Sequence, residues 1–287
     1  MVAGRKIAFL ASLGFAQEPA EQVVETLAGL GYDGVEWTMS HLNPHGDPRA
    51  ARQAVDATRA AGLEVSELVV QQDPVTLDEG QRAAVMDTTL KAIDLAAELG
   101  ISTINVFTGP APWDPAAPKL NADITERAAW DLVSSAFEAW LTRAEQRKVT
   151  LAVETVFGML VHDYYTLLEL NRRFSSSALR VNWDPSHAVL HGQDPIFPIT
   201  ALGDKIAHFH LKDAVGTAQS LDLMAFPMLG EGRVDWTAFF EAASEIGYEG
   251  FYSVEYESFG YYAKVLRSPV RAARVSIMQV KALLGAD

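Results

Sequence analysis

Helical spacing gives way to a short apolar run again and again along this chain. In ETLAGLGYDGVEW, Val23, Val24, Leu27 and Leu30 recur at helical spacing, Gly31 marks the helix end, and an apolar strand follows. ATRAAGLEVSELVV repeats the pattern around Gly62, and IDLAAELGISTINVF repeats it around Gly100. AEQRKVTLAVE leads into a strand near Thr150; SSSALRVNWD, LGDKIAHFH and ASEIGYEGFYSVE complete the series. With KIAFLAS at the front, eight strands are expected, near Ile7, Val35, Val65, Ile104, Leu151, Val181, Ala207 and Ser253. The spacing predicts helices over Glu18–Leu30, Pro48–Ala61, Glu79–Leu99, Thr125–Arg147, Tyr164–Phe174 and Trp236–Ile246, and a last one over Ser268–Leu284.

Strands that alternate with helices in this way predict one (β/α)8 TIM barrel over residues 1–287, an α/β fold with no second domain. An open doubly wound sheet is the alternative, but no Gly-rich phosphate loop follows the first strand. The Pro-rich stretch TGPAPWDPAAPKLNADIT reads as an insertion after strand four.

A barrel keeps its reactive groups at the carboxyl ends of its strands. Strand five ends LAVET with Glu154, strand six ends VNWD with Asp184, strand seven ends AHFH with His210, and strand eight ends SVEYE with Glu255. Strand two ends GVEW with Glu36. Three carboxylates at one rim stay ionised together only when a cation compensates them. Carboxylate oxygens with one imidazole favour a divalent ion such as Mn²⁺, Mg²⁺, Co²⁺ or Fe²⁺.

Composition narrows the partners. The chain carries 37 acidic against 23 basic residues, a net charge of −14, so nucleic acid and anionic membranes are not expected partners. No Cys is present, which excludes disulfides, thiolate metal sites and a Cys nucleophile. The opening MVAGRKIAFLASLGF is read as a first strand rather than a leader, and no apolar run approaches the roughly 20 residues of a membrane span, so a cytoplasmic protein is expected.

These motifs together resemble the xylose isomerase-like TIM-barrel superfamily, in its sugar isomerase/epimerase branch. The carriers are AVE at Glu154, WDPSHAVLHGQDP at Asp184 and His187, HFHLKDA at His210, GEGRVDW at Gly230–Trp236, and GYEGFYSVEYE at Glu255. The resemblance implies one divalent metal, Mn²⁺ foremost, held by Glu154, Asp184, His210 and Glu255. It makes Glu154 and Glu255 an acid/base pair on opposite faces of a carbohydrate substrate. It assigns substrate contacts to His187 and Arg233, and a substrate hydroxyl or Lys212 to Glu36. Relatives often carry Asn-His after the strand-five glutamate, where this chain has Thr155-Val156.

Such a site removes a proton beside a carbonyl and stabilises the resulting enediolate. Returning the proton to the other face gives epimerisation. Returning it to the neighbouring carbon gives isomerisation. Expelling a β leaving group makes the enzyme a lyase, either a dehydratase or a 3-keto-glycoside eliminase, the latter with a small accessory subunit. A metal-dependent isomerase or epimerase leads, and the lyase is the alternative. A homo-oligomer is expected by resemblance.

Other side chains are weighed singly. Lys212 either binds substrate or makes a loop ion pair, and Trp113 either lids the pocket or anchors its loop. His208 is expected in the core behind His210, because both lie on one side of the strand. His41 and His45 are expected as solvated loop residues, Glu257 as peripheral, and His162 and His191 as helix-end surface residues.

Overall fold

Eight parallel strands close on themselves in a computed structural model that describes residues 4–257 and 268–285. They are β1 (Lys6–Leu10), β2 (Gly34–Thr38), β3 (Glu64–Val69), β4 (Thr103–Val106), β5 (Thr150–Glu154), β6 (Leu179–Trp183), β7 (Ile206–Leu211) and β8 (Phe251–Val254). Each pairs with its sequence neighbours, and β8 returns to β1, so the ring has no open edge. This is the (β/α)8 barrel expected from the alternation of periods.

The helices around the barrel are α1 (Ala20–Leu30), α2 (Pro48–Ala60), α3 (Glu79–Leu99), α4 (Glu126–Arg147), α5 (Tyr164–Arg173), α6 (Pro185–Leu190), α7 (Phe197–Leu202), α8 (Trp236–Glu245) and α9 (Pro269–Leu283). Local chemistry sets their ends. Asp47, Asp78, Thr125, Asp163, Asp235 and Ser268 accept hydrogen bonds from backbone N–H groups that the first turns leave unpaired. Gly31 and Gly100 close α1 and α3 with φ of 86° and 71°, a left-handed conformation that costs glycine nothing. Among the described residues, no helix is long and apolar enough to cross a membrane.

The connection from β6 to β7 was not anticipated. It is built from α6 and α7, of six residues each, too short to show a helical repeat and interrupted by Pro195.

Outside the barrel wall the packing is apolar. Phe209 lies 5.0 Å from Phe239 and 4.7 Å from Tyr248, ring centre to ring centre, tying β7 to α8 and the turn before β8. Inside, the upper half of the barrel is polar. Register shifts in β2 and β6 set Glu36 opposite Glu67 and Asn182 opposite His208, and all four are buried.

The loop after β7 is pinned by one carboxylate. Asp213, fully buried, accepts from the backbone N–H groups of Gly230, Gly232 and Val234 at 3.0–3.1 Å and from the Trp236 indole at 3.1 Å. A β-carbon at Gly232 would lie 2.0 Å from that carboxylate, so glycine is required for the approach. Asp213→Ala is expected to cost about 3 kcal/mol, because it strands several buried donors. A melting point lowered by roughly 6–12 °C would register the loss.

Candidate active site

At the carboxyl end of the barrel the structure brings Glu154, Asp184, His210 and Glu255 together. One ligand atom from each lies within 4.8 Å of the others, and all four side chains are buried. Glu154 is the last residue of β5, Asp184 and Glu255 directly follow β6 and β8, and His210 lies inside β7. His210 Nδ1 lies 3.2 Å from Glu154 Oε1 and 2.9 Å from Glu255 Oε2. Asp184 also caps α6, accepting from the Ser186 N–H at 2.8 Å through Oδ1. Its Oδ2, fully buried, has two cationic neighbours, Lys212 Nζ at 2.9 Å and His187 Nε2 at 3.2 Å. Three carboxylates and one imidazole nitrogen suit a hard divalent cation.

Basic side chains also serve this pocket. Lys212 Nζ sits 2.9 Å from both Asp184 Oδ2 and Glu255 Oε2, and 3.2 Å from Glu257 Oε2. His187 Nε2 lies 3.2 Å from Asp184 Oδ2 and 3.6 Å from Glu154 Oε1.

The charges tune one another. Burial would neutralise each carboxyl, but His210, then His187, hold Glu154 well below the usual carboxylate range. Against the same burial penalty, Lys212 and His187 hold Asp184 low. Burial works against charge on His210 and Lys212 too, yet the surrounding carboxylates lift both well above their ordinary values. Glu257 goes the other way: burial, helped by the Glu255 charge, pushes its carboxyl up to about 7 despite Lys212.

A second polar layer supports the first. Glu36 Oε1 lies 3.0 Å from the far nitrogen of His210, Nε2. A hydrogen bond there leaves Nδ1 facing the four-residue cluster. His208 Nδ1 lies 3.3 Å from Glu67 Oε2. Burial and the neighbouring Glu36 charge keep Glu67 well above the normal carboxylate range, and burial lowers His208 to about 4.

Three expectations need correction. Glu36 does not face the cavity: it is fully buried beneath it and meets His210, because its strand position lies one layer deeper. Arg233 is exposed, since Asp213 fixes the backbone on either side of it and its side chain lies outside the cavity lining. Glu257 is not peripheral: it lines the cavity and meets Lys212.

Other side chains are placed as follows. Trp113 lines the cavity at 46% exposure, and Lys212 and His187 line it as well. His208 is in the core. His45 is exposed, whereas His41 is half-buried against Trp37 with a ring distance of 4.6 Å. His162 and His191 are half-buried and stack on each other at 4.9 Å.

Sequence reasoning missed Gln71 and Asn105, whose amides each donate to Glu154 Oε2 at 3.2 Å. A polar residue inside the apolar strand TINV was the available signal for Asn105.

Comparison with known proteins agrees with this fold. The chain belongs to the xylose isomerase-like TIM-barrel family, whose profile matches residues 24–278. It is 25% identical over 304 aligned positions to the protein YfiH of Bacillus subtilis (strain 168), covering 91% of this chain and 96% of that one. It is 30% identical over 104 positions to an inosose dehydratase of Clostridium tetani (strain Massachusetts / E88), covering 32% of this chain and 35% of that one. Among solved structures, the 3-keto-D-glucoside 4-epimerase YcjR from E. coli superposes with a TM-score of 0.77 at 15% identity, over 97% of this chain and 99% of that one.

Proposed function

We propose that this chain is a divalent-metal-dependent isomerase or epimerase of a sugar or keto-sugar. The observation that carries the reading is the convergence of Glu154 and Glu255. They arrive from strands three apart in an eight-strand ring and meet at one imidazole nitrogen, and both line the cavity. Glu154, Asp184, His210 and Glu255 would hold the ion, Mn²⁺ before Mg²⁺, Co²⁺ or Fe²⁺. When bound, it supplies the positive charge that makes a proton beside a carbonyl acidic.

The remaining work falls to side chains. Glu154 takes the proton from one face of the carbon and Glu255 returns one to the other. Gln71 and Asn105 fix Glu154 through its second oxygen. His187 and Lys212 face the cavity with donors for a substrate oxygen.

A lyase is the second reading. Glu257 lines the cavity 3.2 Å from Lys212, a position from which a carboxyl would protonate a leaving group. The local similarity to an inosose dehydratase also supports it.

Incubation with ketoses and 3-keto-glucosides in D₂O with Mn²⁺ separates the readings. Deuterium beside the carbonyl with the carbon skeleton retained is expected for the isomerase or epimerase. Loss of water or aglycone selects the lyase. A chelator-stripped protein that binds no Mn²⁺ and exchanges no proton would sink both.

A further inference from the structure

The cavity above the cluster has a volume of about 360 Å³ and changes character from floor to mouth. Among the described residues its charged lining is Glu154, His187, Lys212 and Glu255, which are buried and form its floor, and the partly exposed Glu257 beside them. The wall rising from that floor is aromatic. Phe157 and Phe226 are buried beside the His187 ring, at 5.5 and 6.2 Å between centres. Trp113 extends the wall from Phe157 at 6.1 Å and reaches solvent. Leu221, half exposed, and Met224 continue the apolar lining.

A polyol chain laid along this wall would give up water and gain little. The five side chains offer one polar group between them, the Trp113 indole N–H. Burying hydroxyls without partners is unfavourable, whereas a flat apolar group loses nothing there. A single Trp beside a site is explained by the C–H face of a sugar. Three rings in a row, extended by Leu221 and Met224, form a surface longer than that face. Leu10, Ser12, Thr38, Val69 and Gln71 line the same cavity, so a molecule held at the floor has this aromatic surface and a mixed one within reach.

The geometry points to a substrate of two unlike halves: a polyhydroxy carbonyl part over the floor and an aromatic substituent along Trp113, Phe157 and Phe226. The first half rests on the reading given under Proposed function; the second rests on the wall alone.

Phenyl and methyl β-glucosides are suitable probes, titrated into the Mn²⁺-supplemented full chain by calorimetry and tryptophan fluorescence. The phenyl compound is expected to bind about 30-fold tighter, from the apolar area it covers. Trp113→Ala is expected to cut the phenyl-to-methyl ratio to about threefold, and Trp113→Phe to keep most of it. Equal binding of the two probes, binding of neither, or a ratio untouched by Trp113→Ala overturns the proposal. Deuterium exchange is scored separately. A phenyl preference without exchange on any ketose or 3-keto-glucoside leaves the aromatic subsite standing and removes the proposed reaction. Exchange on free ketoses without the preference does the reverse.

Discussion

Glu154→Gln and Glu255→Gln are each expected to lower epimerising turnover by roughly a thousandfold, the scale of a lost general base or acid. Gln keeps the size and one carbonyl oxygen of Glu, so the cavity keeps its shape, but the amide takes up no proton at neutral pH. The more telling result is an asymmetry. With the bases on opposite faces, a chain lacking one still deprotonates the epimer whose proton faces the other. Each variant should therefore wash deuterium into one epimer of a pair without interconverting them, and the two variants should choose different epimers. Deuterium NMR on each purified epimer reads this directly. Loss of exchange from both epimers in both variants would place the two glutamates in metal binding alone. Mn²⁺ titration of the same variants keeps the two effects apart, because a weakened ion is restored by excess metal and a missing base is not.

How much of this was legible beforehand follows from the physics of a closed barrel. Helix ends at Gly31 and Gly100 were visible because a left-handed residue leaves a mark in the sequence. Glu154, Asp184 and Glu255 were visible because each stands where an apolar run stops, and His210 because only Leu211 follows it in its strand. Glu67 and Asn105 were not, because they lie inside runs. A barrel buries both faces of every strand, so an interior polar residue breaks no alternation, and Asn105 marks a buried polar position in TINV without saying what it meets. Glu36 was seen but misplaced by one layer, since its strand carries on to Thr38 past the expected end. Arg233 was misplaced for another reason. The motif GEGRVDW holds its shape through Asp213 and the glycines, and that same clamp directs the arginine outward. Only tertiary contacts carry that information.

The inner layer also explains why the site tolerates so much buried charge. Glu36, Glu154 and Glu255 all meet His210, whose two nitrogens face different carboxylates. Burial shifts both Glu67 and His208 toward their uncharged forms, which limits the charge added to the interior.

Lys212→Met gives the largest expected change in stability. The ammonium is 3% exposed and meets three carboxylates, so its removal leaves Asp184 without its nearest cation and Glu255 with His210 alone at 2.9 Å. Breaking a buried ion pair from one side costs about 3–5 kcal/mol. Thermal melting in EDTA should show the deficit. Its pH dependence follows from the direction of the shifts. The folded Lys212 is raised above its unfolded value, so its contribution is complete below about pH 10 and fades only above that. Asp184 is held below its unfolded value, so its contribution is present above about pH 4 and lost as the pH falls. The gap between variant and wild type is therefore expected to be widest at about pH 9 and to close toward about pH 4, as the stranded carboxylates take up protons, Glu257 among the first because Lys212 no longer holds it down. Mn²⁺ supplies the missing charge by another route. At a hundred times its dissociation constant, a ligand of the native state adds about 2.7 kcal/mol, and a variant that lacks the competing ammonium should bind the ion more tightly and gain more than wild type. A Lys212→Met protein that melts like wild type in EDTA, or that gains no more from Mn²⁺ than wild type does, would show that the ammonium and the ion do not share these carboxylates.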